Sequence, residues 1–164
     1  MSNRDRSWSD MHRLTATLLV LLPITSGFYI TGTQYKTCDG QPHKVQVMNV
    51  SIEPCDTNPC TLYKGEKAKI AINFTTTEPI NPGQASVHGI IAHIPVPFPL
   101  NYPAVCNFTE PGCPLRQGVQ YGYTYQLPVS PTYPSIQLTV KWELVDAAGH
   151  TFLCVEMPVK LHAR

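Results

Sequence analysis

The stretch His88-Gly-Ile-Ile-Ala-His-Ile-Pro-Val-Pro-Phe-Pro-Leu-Asn101 narrows the folds open to this chain more than any other. Prolines at 95, 97 and 99 each lock φ and remove a backbone donor. Its second half therefore cannot be helix or a central strand of a sheet. It has to be extended and stiff, holding Val96, Phe98 and Leu100 in nearly fixed positions. Apart from two histidines the stretch carries no ionisable side chain. An apolar segment of this kind either caps the protein's own core or forms the mouth of a pocket for an apolar ligand.

Around this segment the chain alternates as half-buried strands do. Lys67 to Thr75 places Ala68, Ile70, Ile72 and Phe74 on one face and Lys67, Lys69 and Asn73 on the other. Val119 to Leu127 sets Val119, Tyr121, Tyr123, Tyr125 and Leu127 against Gln120, Gly122, Thr124 and Gln126. Ile136 to Leu144 repeats the pattern through Leu138, Val140 and Trp142. Val45 to Ile52 changes phase, with Val45 and Val47 followed by Val50 and Ile52, which predicts a bulge near Met48 or Asn49. Ser86 to Ile94 is a strand leading into the prolines. The last strand spans Thr151 to Leu161 after a turn at Ala147-Ala-Gly-His150, with Pro158 marking an edge or a bulge. No segment has helical periodicity. Six or seven short strands at these spacings predict an all-β, two-sheet sandwich forming a single domain. Its Tyr, Ile, Phe and Trp faces are bulky for a thin core, so a filled core and an apolar cavity between the sheets both remain open.

The compartment follows from the ends and the cysteines. Arg4, Arg6 and Arg13 precede an apolar run from Leu14 to Ile24, followed by Ser26 and Gly27. This predicts a signal peptide over residues 1–27 and a mature domain over 28–164. All six cysteines fall in that domain, and an even number in an exported chain points to disulfides. Six cysteines can pair in many ways. Spacing makes Cys55–Cys60 and Cys106–Cys113 natural local loops, which leaves Cys38 and Cys154 to tie the first strand to the last. Asn49, Asn73 and Asn107 head glycosylation sequons, and Asn73 lies on the polar face of its strand.

Several function classes lose support on the same residues. A net charge of +1 with 14% charged residues offers no basic surface for nucleic acid. No Cys/His spacing suits zinc, so no metal site is expected. His43, His88, His93 and His150 could act as bases. Neither a nucleophile elbow nor a spaced carboxylate pair accompanies them, so no catalytic residue and no enzymatic activity are expected.

Separated motifs then agree on one family. Val-His-Gly-Ile-Ile at 87–91, Ile-Pro-Val-Pro-Phe-Pro at 94–99, Leu-Pro-Val at 127–129, Tyr-Pro-Ser-Ile at 133–136 and Trp142 occur in order. From Cys38 to Leu161 the chain resembles the ML lipid-recognition domain family, and within it the exported sterol carriers of the Niemann–Pick type C2 group. The resemblance implies an immunoglobulin-like sandwich whose sheets part to bind cholesterol, hydroxyl outward and tail inward, with no cofactor. It implies the pairs Cys38–Cys154, Cys55–Cys60 and Cys106–Cys113, and a sterol pocket at Val96, Phe98, Pro128, Val129, Tyr133 and Trp142. It also implies a secreted or lysosomal monomer that passes sterol to membranes or to the membrane-embedded Niemann–Pick type C transporter through the tip Ala92-His93-Ile94. Two positions depart from the family pattern. The tip has Ala92-His93 where the sterol carriers have a bulky apolar residue and glycine, and Val155 stands where an aromatic often follows the last cysteine. Rival readings are an immune or chemosensory module that presents another lipid to a receptor, and an adhesive sandwich with a dry core.

Overall fold

The computed structural model describes residues 32–40 and 43–164. The expected signal peptide at 1–27 lies outside the described residues. Among the described residues ten strands form in chain order: β1 (Lys36–Thr37), β2 (Val45–Glu53), β3 (Cys60–Tyr63), β4 (Lys67–Thr76), β5 (Pro82–Ile91), β6 (Ile94–Phe98), β7 (Thr109–Glu110), β8 (Gln120–Pro128), β9 (Gln137–Asp146) and β10 (Thr151–His162). A 3-10 turn, Val105–Phe108, precedes β7. One sheet runs β1-β10-β9-β5-β6, with β3 also pairing β10, and the other runs β2-β4-β8-β7.

The alternation explains how the two sheets meet. Ile70, Ile72 and Phe74 of β4 and Tyr121, Tyr123 and Tyr125 of β8 are buried on one side. Leu138, Val140, Trp142 and Leu144 of β9, with Val155, Met157 and Val159 of β10, are buried on the other. These side chains form one cluster, so each sheet hides its apolar face against the other's. The register of β2 on β4 shifts between Val47 and Asn49, so the expected bulge is present and Met48 is turned outward.

Proline placement also follows its chemistry. β6, with Pro95 and Pro97, is the outermost strand of its sheet and pairs only with β5. Pro158 pairs with Thr139 on one side of β10. On the other side β1 pairs Val155 and Glu156, whereas β3 begins at Val159. Pro158 thus sits in the gap between two short partners, where no amide hydrogen is required.

The strand expected over Ser86 to Ile94 differs at both ends, beginning at Pro82, while β9 is shifted by one or two residues to Gln137–Asp146. β5 stops at Ile91, and the chain reverses through Ala92 (φ 48°) and His93 (φ 69°) before β6 pairs back along it. The stretch is therefore a hairpin and not a strand running straight into the prolines. Neither turn residue is the glycine or asparagine that this conformation favours, so the reversal had no local signal.

The three disulfides are Cys38–Cys154, Cys55–Cys60 and Cys106–Cys113. Asn49 and Asn107 are exposed. Asn73 is half-buried on the outer face of β4, with Asn49 opposite it on β2 and Gly122 on β8.

Candidate functional site

Among the described residues the β5–β6 hairpin carries two of the four exposed large apolar side chains. Ile94 is 64% and Val96 41% accessible, and they follow directly on the turn at Ala92-His93. Two residues further along β6, Phe98 is half-buried and points inward. Its ring occupies space that only glycine leaves free. A Cβ at Gly89 of β5 would fall 2.8 Å from Phe98 Cε2 and 2.8 Å from Leu138 Cδ1.

The second wall comes from the segment after β8. Tyr133 is held by its backbone N–H to Ser130 O at 3.3 Å, and its ring meets Phe98 edge-on at 4.9 Å between centroids. Val129 is buried and clamped in both directions to the β3–β4 turn, donating to Glu66 O at 2.8 Å and accepting from Gly65 N at 2.7 Å. Pro128 is exposed at the end of β8, paired with Lys67. The proline-stiffened edge strand and this clamped loop therefore present Phe98 and Tyr133 to each other at one end of the sandwich.

Trp142 lies behind them. Phe98, Val87, Trp142 and Val155 are successive register partners across β6, β5, β9 and β10. Two strand spacings put Trp142 about 10 Å inward from Phe98. Trp142 is fully buried and packs against Tyr125 at 5.6 Å and Tyr123 at 6.1 Å. Phe108, from the 3-10 turn, completes the aromatic cluster at 4.7 Å from Tyr125 and 6.3 Å from Tyr123.

Two atoms inside this cluster lack partners: Tyr123 Oη and Trp142 Nε1. Burial pushes the Tyr123 hydroxyl well above the ordinary phenol range, and the indole N–H of Trp142, near it but without hydrogen-bond geometry, offsets this only in part. A buried polar group left without a hydrogen bond costs about 1–3 kcal/mol.

Of the six pocket positions, Phe98 and Tyr133 meet directly. Val96 and Pro128 sit on the outside of the same end, and Val129 and Trp142 are buried. Sequence reasoning missed Gly89, whose position within a strand is a recognised sign of close approach, and Phe108, which no periodicity marked. The candidate bases do not assemble a catalytic group. His88 lies on the outer face, its Nδ1 3.8 Å from Glu143 Oε2, while Lys141 Nζ holds the other carboxylate oxygen at 3.0 Å. Among the described residues no three His, Cys, Asp or Glu side chains cluster to hold a metal. No described helix is long and apolar enough to cross a membrane.

Known proteins match over most of this architecture. The ML domain family model matches residues 32–161. The NPC intracellular cholesterol transporter 2 of Mus musculus is 35% identical over 149 residues, which is 91% of this chain and 98% of that protein. The Drosophila melanogaster homolog a of the same transporter is 39% identical over 114 residues, 68% of this chain and 77% of its own. Among solved structures, a Niemann-Pick type C2 protein from Japanese carpenter ant superposes with a TM-score of 0.70 at 24% identity, covering 79% of this chain and 99% of the other. With its motif order, three disulfides and paired sheets, this chain belongs to the ML domain family.

Proposed function

We propose that the protein is a sterol carrier that works without cofactor or catalysis, takes cholesterol between its two sheets, and delivers it to a membrane or a membrane-embedded transporter. The observation that carries the reading is the Phe98–Tyr133 pair, two rings held edge-on by a proline-stiffened edge strand and a backbone-clamped loop. Behind them lies an aromatic interior in which no side chain bears a charge. The names of the mouse and fly relatives support the same ligand class.

Energetics suit a rigid apolar guest. A sterol orders few rotors on binding, so the cost falls mainly on lost translation and rotation. Burying its surface at about 25 cal/mol per Å² supplies the drive without any ionic contact. Phe98 and Tyr133 have to move aside for entry, and Gly89 gives the Phe98 ring its seat. Gly89→Ala is therefore expected to weaken cholesterol binding several-fold while the domain stays folded, because the atoms in the way are the ends of side chains. Isothermal titration with delipidated protein, beside a melting curve, reads both. Unchanged affinity would show that the ring's seat does not matter.

Delivery belongs to the tip. Ala92 and His93 form the exposed turn of the hairpin, and Ile94, which opens β6, is more exposed than Val96. The secreted or lysosomal monomer is proposed to touch membranes or the Niemann–Pick type C transporter there. In transfer of cholesterol between vesicles, the wild type should accelerate exchange. Ile94→Glu should slow delivery about tenfold or more, since it replaces an apolar contact with a charge that must be desolvated, and leave capture in solution intact. No acceleration by wild-type protein overturns the carrier reading. Equal rates for the two proteins remove the tip from delivery.

A further inference from the structure

The polar pair inside the aromatic cluster is unexplained by a ligand whose buried end is hydrocarbon. Tyr123 comes from β8 in one sheet and Trp142 from β9 in the other, and both are fully buried. Their rings lie 6.1 Å apart, and neither Tyr123 Oη nor Trp142 Nε1 has a hydrogen-bond partner. Tyr121, two residues earlier on β8, makes a useful contrast: its hydroxyl accepts from Arg116 N at 2.8 Å. An indole N–H only donates, whereas a phenol both donates and accepts. Together they complement one hydroxyl or carbonyl oxygen, and buried polar atoms of this kind normally have such a partner.

Cholesterol held with its hydroxyl at the mouth does not supply that oxygen. The pair lies about 10 Å behind Phe98 by strand spacing, where such a sterol presents only carbon. Val155, opposite Trp142 on β10, offers no polar group either. Building on the carrier reading, we propose that Tyr123 Oη and Trp142 Nε1 form a specificity site for a second oxygen, so that the preferred ligand is a sterol hydroxylated on the part that enters first. The hydroxyl of such a sterol accepts from Trp142 Nε1–H and shares a hydrogen with Tyr123 Oη. Unoxygenated sterols still bind by apolar burial but leave both atoms bare.

The test is competition on delipidated protein among cholesterol, 22-hydroxycholesterol and 25-hydroxycholesterol, with wild type, Tyr123→Phe and Trp142→Phe. One of the hydroxylated sterols should bind wild type about tenfold better than cholesterol, the difference one hydrogen bond makes in a dry site. Tyr123→Phe keeps the ring and removes only the oxygen. It should bring that ratio to about one while leaving cholesterol affinity and the melting temperature unchanged or higher. Trp142→Phe should reduce the ratio as well. Equal or weaker binding of both hydroxylated sterols by wild type overturns the proposal and leaves the carrier reading standing. A loss of cholesterol affinity in Tyr123→Phe also overturns it, because the 3-hydroxyl would then be the group going in first. A lowered melting temperature in Tyr123→Phe assigns the hydroxyl a structural partner and overturns it too. If wild type binds no sterol at all, the carrier reading fails and this site falls with it.

Discussion

Phe98→Ala is expected to weaken cholesterol binding by more than tenfold while the delipidated domain loses only about 1–2 kcal/mol of stability. The two halves of this expectation come from one geometry. Phe98 sits on the outermost strand of its sheet and is half-buried, with its main aromatic contact to Tyr133 in a loop. An edge-on pair contributes about 0.5–1.5 kcal/mol beyond area burial, and truncation at an edge opens a site to solvent and leaves no sealed cavity. A Phe packed into a dry core behaves differently, since its removal costs about 3–5 kcal/mol. For a domain of this size that lowers the melting temperature by roughly 10 °C or more. Thermal melts and sterol titrations on the same delipidated preparations separate the two cases, because bound lipid would itself raise stability. A large loss of stability with unchanged affinity would make Phe98 a core residue and not a gate.

Removing the Cys38–Cys154 bridge should have the largest effect on folding. It links residues 116 apart in sequence, whereas Cys55–Cys60 and Cys106–Cys113 span 5 and 7. On chain entropy alone the long loop is worth roughly 5 kcal/mol and the short ones roughly 2 each. Local structure adds to this. β1 is two residues long and pairs with β10 through Lys36–Glu156 and Thr37–Val155, with Cys38 N donating to Cys154 O beside the bridge. Without the covalent tie so short a strand has little to hold it. Since a domain is commonly stable by 5–15 kcal/mol, the Cys38→Ala/Cys154→Ala double variant should unfold at much lower urea than wild type. The Cys106→Ala/Cys113→Ala variant should shift far less. Equal shifts would mean that loop length does not govern these bridges.

Much of this is legible in the sequence, and the reasons are particular. The alternation in Lys67 to Thr75 and Val119 to Leu127 reports burial on one face directly, so β4 and β8 appear where expected. The phase change around Met48 encodes the bulge, and the spacing of prolines 95 and 97 encodes an edge. Three features were hidden. β3 is four residues long and pairs in parallel with β10, a contact with no local signature. The hairpin turns at Ala92-His93 with positive φ on residues that ordinarily avoid it, so tertiary pairing of β5 with β6 imposes the reversal. The resemblance put Trp142 in the pocket, but nothing singled out Tyr123 or joined the two, because periodicity counts a ring as apolar and says nothing of its one polar atom. What makes the site is side-chain chemistry across two sheets, and a single strand's pattern does not contain it.

Trp142 makes the central claim directly measurable. The sequence holds two tryptophans, and Trp8 lies in the expected signal peptide, so Trp142 is the sole tryptophan of residues 28–164. It is fully buried between the sheets, behind Phe98 and Tyr133. A brominated sterol, which quenches indole emission on contact, can be titrated into delipidated, secreted protein. If sterol enters between the sheets, Trp142 emission should fall saturably, reach its endpoint at one sterol per chain, and recover when excess cholesterol displaces the probe. Emission that stays unchanged through an excess of brominated sterol would contradict a binding site inside the sandwich.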